Sequence, residues 1–86
     1  MTYTVVWRPA AEEKLAAIWT EADDRRAITN AANSIDSMLR LNPLDVGESR
    51  VESIRILTVV PLSIYYDVHH DDRLVAIWAI WQPSVR

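Results

Sequence analysis

The chain has 86 residues, half of them hydrophobic, a size and composition that favour a single folded domain with a modest core and exclude a disordered chain. It has no cysteine, which excludes a disulfide framework and a thiolate metal site. Nine Lys/Arg against twelve Asp/Glu give a net charge of −3, which argues against a protein that grips nucleic acid by neutralising phosphates.

Tyr3 to Trp7 is β-branched and aromatic and predicts a short strand, with Tyr3, Val5 and Trp7 on one face and Thr4 and Val6 on the other. Pro9 suits the first position of a helix, where its missing N–H is not needed. Glu12 and Glu13 suit the positive end of the helix dipole. Ala11, Leu15, Ile18, Trp19 and Ala22 recur at helical spacing, so a helix is expected over 9–22. Asp23-Asp24 breaks the pattern, and either carboxylate can cap the next helix. There Ile28, Ala31, Ala32, Ile35, Met38 and Leu39 form an amphipathic stripe. Pro43 disfavours a helical Asn42 and ends this helix near Leu41. The short link makes the two helices an antiparallel hairpin.

The loop from Asn42 to Gly47 holds the only glycine. Beyond it the period becomes strand-like. Arg50 to Val59 alternates imperfectly, with Ile54 and Ile56 on one face and Arg55 and Leu57 on the other. Leu62, Ile64, Tyr66 and Val68 then alternate with Ser63, Tyr65, Asp67 and His69, and Pro61 is the only turn signal between the two runs. His70-Asp71-Asp72 marks a second turn. Arg73 to Trp81 is apolar on both faces and predicts a central strand covered on both sides, stopped by Pro83. The expected order is strand, helix, helix, strand, strand, strand: an α+β domain whose antiparallel sheet is covered by a helical hairpin. The N-terminus lacks a basic region followed by a long apolar run, and Leu74 to Trp81 is too short to cross a bilayer. A cytoplasmic protein without membrane contact is expected.

This order, and several local sequences within it, resemble the RelE/ParE toxins of bacterial type II toxin–antitoxin (plasmid stabilisation) modules over nearly the whole length. The residues that carry the likeness are the strand running into Pro9 and an Ala/Glu-rich helix, then Leu39-Arg40-Leu41-Asn42-Pro43 before the glycine loop, then Arg55-Ile56-Leu57, Pro61-Leu62-Ser63-Ile64-Tyr65-Tyr66-Asp67-Val68 and Val75-Ala76-Ile77-Trp78-Ala79-Ile80-Trp81. The resemblance implies one RelE/ParE-like domain over 1–86 and a cognate antitoxin whose extended segment wraps the toxin. It also implies one of two targets, since RelE-like members cleave mRNA on the ribosome and ParE-like members poison DNA gyrase. Three features depart from the nuclease branch. The chain is acidic. Ser63 stands where those enzymes often carry an arginine. Gln82 is followed by Pro83-Ser84-Val85 rather than by basic residues. The reading is a ParE-like toxin component whose contacts are with proteins. Its alternatives are a RelE-like ribosome-dependent endoribonuclease and a non-toxic binding or oligomerising module of the same fold, a homodimer included.

RNA cleavage of this type needs a base, an acid and cations for the phosphorane charge. Arg50, Arg55 and Arg73 are candidate cations, and Arg55 holds a position typical of the family. Arg50 and Arg55 can equally be strand surface charge paired with Glu48 and Glu52. Tyr66 shares a face with Ile64 and Val68 and reads as core, whereas Tyr65 faces the other way. The catalytic candidates are therefore Arg55, Arg50 and Tyr65. Trp78 and Trp81 fall on opposite faces of a regular strand, which favours an interface for at least one of them, and with Arg73 they are the binding candidates. His69 and His70 point to opposite faces with no third ligand at a suggestive spacing, so no metal is expected. The single glycine excludes P-loop and dinucleotide fingerprints, and no cofactor is expected.

Overall fold

The computed structural model describes residues 2–51 and 53–83. Its elements run β1 (Thr4–Trp7), α1 (Pro9–Glu21), α2 (Arg25–Leu41), β2 (Glu48–Val51), β3 (Ile54–Val59), β4 (Leu62–His69) and β5 (Leu74–Trp81). The α+β class and the helical hairpin match the expectation from the sequence.

Pro9 opens α1, and Ala11 and Ile18 are the residues it buries. Arg25 closes α1 from outside, donating from Nε to the Trp19 carbonyl at 3.1 Å and from Nη2 to the Thr20 carbonyl at 2.8 Å. A cation there satisfies orphan carbonyls at the negative end of the helix. Asp24 caps α2 by accepting from the Ala27 N–H at 3.0 Å. Of the α2 stripe, Ile28, Ala31, Ile35 and Leu39 are buried. Trp19 departs from its expected place on the inner face of α1. It is 43% exposed, and its indole N–H donates to Thr29 Oγ1 at 3.1 Å, tying the two helices together on their outer side.

The five strands form one sheet in the order β1-β5-β4-β3-β2. Three pairings are antiparallel, but β1 runs parallel to β5, with Val5 beside Val75 and Trp7 beside Ile77. The helical hairpin between β1 and the later strands carries the chain back to the starting end, so this pair has the direction a crossover requires. The run expected as one strand over Arg50–Val59 is divided into β2 and β3, which fold back on each other. The turn between β3 and β4 has Val60–Pro61 at its tip, with a cis peptide bond, and Val59 pairs with Leu62.

Both helices pack on one face of the sheet. That face carries Leu57 from β3, Leu62, Ile64 and Tyr66 from β4, and Val75, Ile77 and Ile80 from β5, all within the buried cluster. The expectation that β5 is covered on both sides is corrected. It is central, flanked by β1 and β4, but no element lies over its other face among the described residues, and Trp78 there is 44% exposed. The apolar character of both faces reflects one core and one uncovered apolar surface, a distinction that hydropathy alone does not make.

Candidate functional site

The uncovered face is set by register. In β4, Ser63, Tyr65, Asp67 and His69 point away from the helices, and Thr58, Ile56 and Ile54 stand opposite the first three on β3. On β5 the same side carries Leu74, Ala76, Ala79 and Trp81, and on β1 it carries Thr4 and Val6. Each strand contributes an exposed apolar side chain to it, namely Val6, Trp78, Tyr65, Ile54 and Val51, among polar neighbours such as Thr58 and His69. Single exposed apolar residues need no explanation, whereas one on every strand of the same uncovered face makes that face the candidate surface for a partner.

An irregularity in β5 shapes this surface. Ile80 pairs with Ile64 and Ile77 with Tyr66, all four being core residues, so two residues rather than one lie between them, opposite Tyr65. This bulge puts both Trp78 and Ala79 on the uncovered side. Trp81, one residue beyond Ile80, points the same way. The expectation that Trp78 and Trp81 fall on opposite faces holds for a regular strand only, and the bulge brings them to one face. Tyr65 packs against Trp81 with ring centroids 4.8 Å apart and planes tilted by 48°. The Arg8 guanidinium lies 4.2 Å from the centre of the Trp78 ring, a cation–π contact.

The arginine candidates do not converge on Tyr65. Arg55 is on the helix-facing side of β3. Its Nε donates to the Tyr66 hydroxyl at 3.2 Å, and its Nη2 donates to the Val46 and Gly47 carbonyls at 3.0 and 3.4 Å. The Tyr66 hydroxyl in turn lies 2.8 Å from both the Pro43 and the Val46 carbonyl oxygens, which share its single proton. Burial pushes the Tyr66 phenol up from its ordinary value, partly offset by the hydrogen bond and charge of Arg55. Gly47 completes this clamp: its φ is +69°, and a Cβ there would run into the Ile56 carbonyl oxygen. Arg55 thus holds the loop to the sheet. Arg50 occupies the bulge between Ser49 and Val51 in the edge strand β2 and is exposed. Neither arginine forms an ion pair among the described residues; Glu52, one of the expected partners, lies outside them. Arg73 sits in the β4–β5 turn with φ +52°, its guanidinium 5.4 Å from the centre of the Tyr3 ring. The Tyr3 hydroxyl is itself 3.0 Å from His70 Nδ1.

The uncovered face also holds polar groups not singled out as candidates. Thr58 and Ser63 share a hydrogen bond of 2.7 Å between their hydroxyls. Asp67 is only 8% exposed, and its Oδ1 lies 3.2 Å from His69 Nε2, close enough for an ion pair with a protonated imidazole but without hydrogen-bond geometry. Alternation in β4 places Asp67 beside Tyr65, but its burial comes from β3 and β5 and has no signal in the local sequence. Away from this face, a groove of about 450 Å³ between the helices is lined by Leu15, Trp19, Ile28 and Ala32, with Glu12, Thr20 and Thr29 as its polar residues. Among the described residues no helix is long and apolar enough to cross a membrane.

No protein-family model matches this sequence, and no curated protein is significantly similar to it. Solved structures are. A chain of the toxin–antitoxin complex RelBE2 from Mycobacterium tuberculosis superimposes with a TM-score of 0.82 at 16% identity, over 99% of this chain and 95% of that one. A chain of the chromosomal ParDE toxin–antitoxin system from P. aeruginosa superimposes with a TM-score of 0.76 at 18% identity, over 95% of this chain and 97% of that one. This chain therefore has the RelE/ParE-like fold, as its sequence leads one to expect.

Proposed function

We propose that residues 1–86 act as one toxin-like component of a type II toxin–antitoxin pair, held by a cognate antitoxin, and that its cellular target is a protein, in the ParE-like manner. The observation that carries this reading is the uncovered sheet face. It exposes an apolar side chain on every strand, is rich in aromatic side chains, and carries few cations. Strand alternation assigns it two Lys/Arg among the described residues: Arg8, whose side chain already lies over Trp78, and Arg50, at the bulge of the edge strand β2. Cleaving RNA builds charge on a phosphorane, which needs preorganised cations. Docking a protein needs aromatic and aliphatic anchors, which this face has. The fold agrees with the reading, being that of chains from toxin–antitoxin complexes.

The RelE-like alternative rests on a different observation: Tyr65, Asp67 and His69 stand in one column on β4, and all three are residue types able to move protons. One experiment separates the two. The chain is induced alone in bacteria, and protein and DNA synthesis are followed by pulse-labelling. The ParE-like reading expects DNA synthesis to fall first, with growth restored by co-expressing the product of the adjacent short reading frame. A first fall in protein synthesis, with cleaved mRNA, supports the endoribonuclease instead. Normal growth with folded protein refutes toxicity and leaves the non-toxic binding module.

A further inference from the structure

Asp67 has a carboxylate that no Lys or Arg neutralises among the described residues. The residue is buried, yet its Oδ1 has no hydrogen bond among the described residues. Its one ionic neighbour among the described residues, His69, has an imidazole that is half exposed and carries charge only when protonated. The arginines that are engaged are engaged elsewhere: Arg8 on Trp78, Arg25 on the end of α1, Arg40 on Asp36, Arg55 on Tyr66 and Arg73 on Tyr3. Removing a carboxylate from water without a partner is costly, and a fold tolerates it where the group has a use.

The surroundings say which use. Helices close the other side of the sheet, so what exposure the Asp67 side chain keeps is on the uncovered face. Across the strands its neighbours are Ile54 and Ala76, and along β4 they are Tyr65 and His69. Ile54 and Tyr65 are themselves exposed, and Trp81 extends the apolar area beyond Tyr65. A carboxylate on the floor of an apolar and aromatic surface complements a cation carried on an apolar stem. An arginine fits best, since its planar guanidinium pairs with a carboxylate and stacks on aromatic rings. The chain's net charge of −3 attracts the same kind of partner.

We infer that the uncovered face binds a protein segment carrying an arginine or lysine between apolar side chains, with the cation on the Asp67 carboxylate and the apolar flanks on Ile54, Tyr65 and Trp81. This deepens the reading above and rests on it in one respect: the segment is taken to belong to the antitoxin.

Two measurements test the inference on the full chain. In the first, the affinity for the purified product of the adjacent short reading frame is compared between wild type and Asp67→Asn, with Asp67→Ser as a second variant in case one does not fold. A loss of about 30-fold or more is expected for a buried charge pair deprived of one partner. Unchanged affinity of a folded variant overturns the inference. In the second, a random peptide library on phage is selected against wild type and against Asp67→Asn. Wild type is expected to enrich an arginine or lysine flanked by apolar residues, and the variant is expected to lose that basic position. The same basic motif from both proteins, or no basic position from wild type, overturns the inference. If the adjacent product binds neither protein, the antitoxin assignment falls, and the library result alone decides the role of Asp67.

Discussion

Tyr66 and Asp67 are neighbours in β4, and they show the two faces of one sheet at a single peptide bond. Tyr66 points to the helices and is fully buried, and its hydroxyl is engaged by Arg55, Pro43 and Val46. Asp67 points the other way and is almost as buried, yet Oδ1 has no hydrogen bond. A polar group buried with all its partners makes a rigid clamp, whereas one buried without them is a debt to stability. The helix-facing side is thus built to hold the fold. The uncovered side gives up some stability, as surfaces that work by meeting something else commonly do.

The contrast is broken most directly by equivalent truncations on the two sides. Ile77→Ala removes a fully buried side chain from the helix-facing core and is expected to cost about 2–5 kcal/mol. Ile54→Ala, on the uncovered face and 37% exposed, is expected to cost less than about 1 kcal/mol. Urea unfolding midpoints measure both. Similar losses at the two sites would mean that the uncovered face is covered in solution by something already bound, such as a second copy of the chain.

Arg55→Ala comes next in size. It removes donors to the Tyr66 hydroxyl and to two loop carbonyls, and a loss of about 1–3 kcal/mol is expected. The sequence offers Arg55 as a catalytic cation, for which the variant should stay as stable as wild type while activity disappears. The geometry predicts the opposite: the thermal midpoint falls, and any loss of toxicity follows the loss of folded protein. Arg55→Lys should recover only part of the stability, because one ammonium cannot serve the hydroxyl and both carbonyls as a guanidinium does.

Alkaline pH probes the same clamp more gently. Burial raises the Tyr66 phenol above the ordinary value of about 10 in the folded state. A group whose folded pKa is raised stabilises the fold fully below its unfolded pKa. It loses that contribution as pH rises from about 10 through the folded value, because the unfolded chain releases the proton first. Stability measured by urea unfolding should therefore decline above about pH 10, and Tyr66→Phe should remove this tyrosine's share of the slope while lowering stability at neutral pH.

Much of this fold is legible in the sequence because it is local. The α2 stripe from Ile28 to Leu39, the Asp24 cap and the alternation of Leu62 to His69 each depend on residues within a turn or two of one another. What is not legible is set by partners distant in sequence. Alternation in β1 says which side chains share a face but not that the strand will lie parallel to β5. The bulge that brings Trp78 and Trp81 to one face exists only as a register with β4. Arg55 reads as a surface cation until the loop carbonyls of Val46 and Gly47 are folded over it. Of the residues on the uncovered face, the sequence singles out Tyr65, Trp78 and Trp81 but not Asp67, because a carboxylate between His69 and two tyrosines looks solvated until β3 and β5 flank it.

The smallest expected effect is the most informative about the two faces. Asp67→Leu in the isolated chain replaces a carboxylate lacking a hydrogen bond with an apolar side chain of similar size, facing Ile54 and Ala76. Removing a buried carboxylate whose ionic contact is a half-exposed imidazole relieves a desolvation cost that the contact only partly offsets, so the variant should be as stable as wild type or up to about 1 kcal/mol more stable. One residue earlier, Tyr66→Phe breaks hydrogen bonds that are all made and should cost about 1 kcal/mol or more. Opposite signs at adjacent positions, measured as thermal midpoints, are what a sheet with one structural face and one binding face predicts. If Asp67→Leu instead destabilises the free chain as Tyr66→Phe does, the carboxylate has a structural partner in solution, and the two faces are alike in purpose.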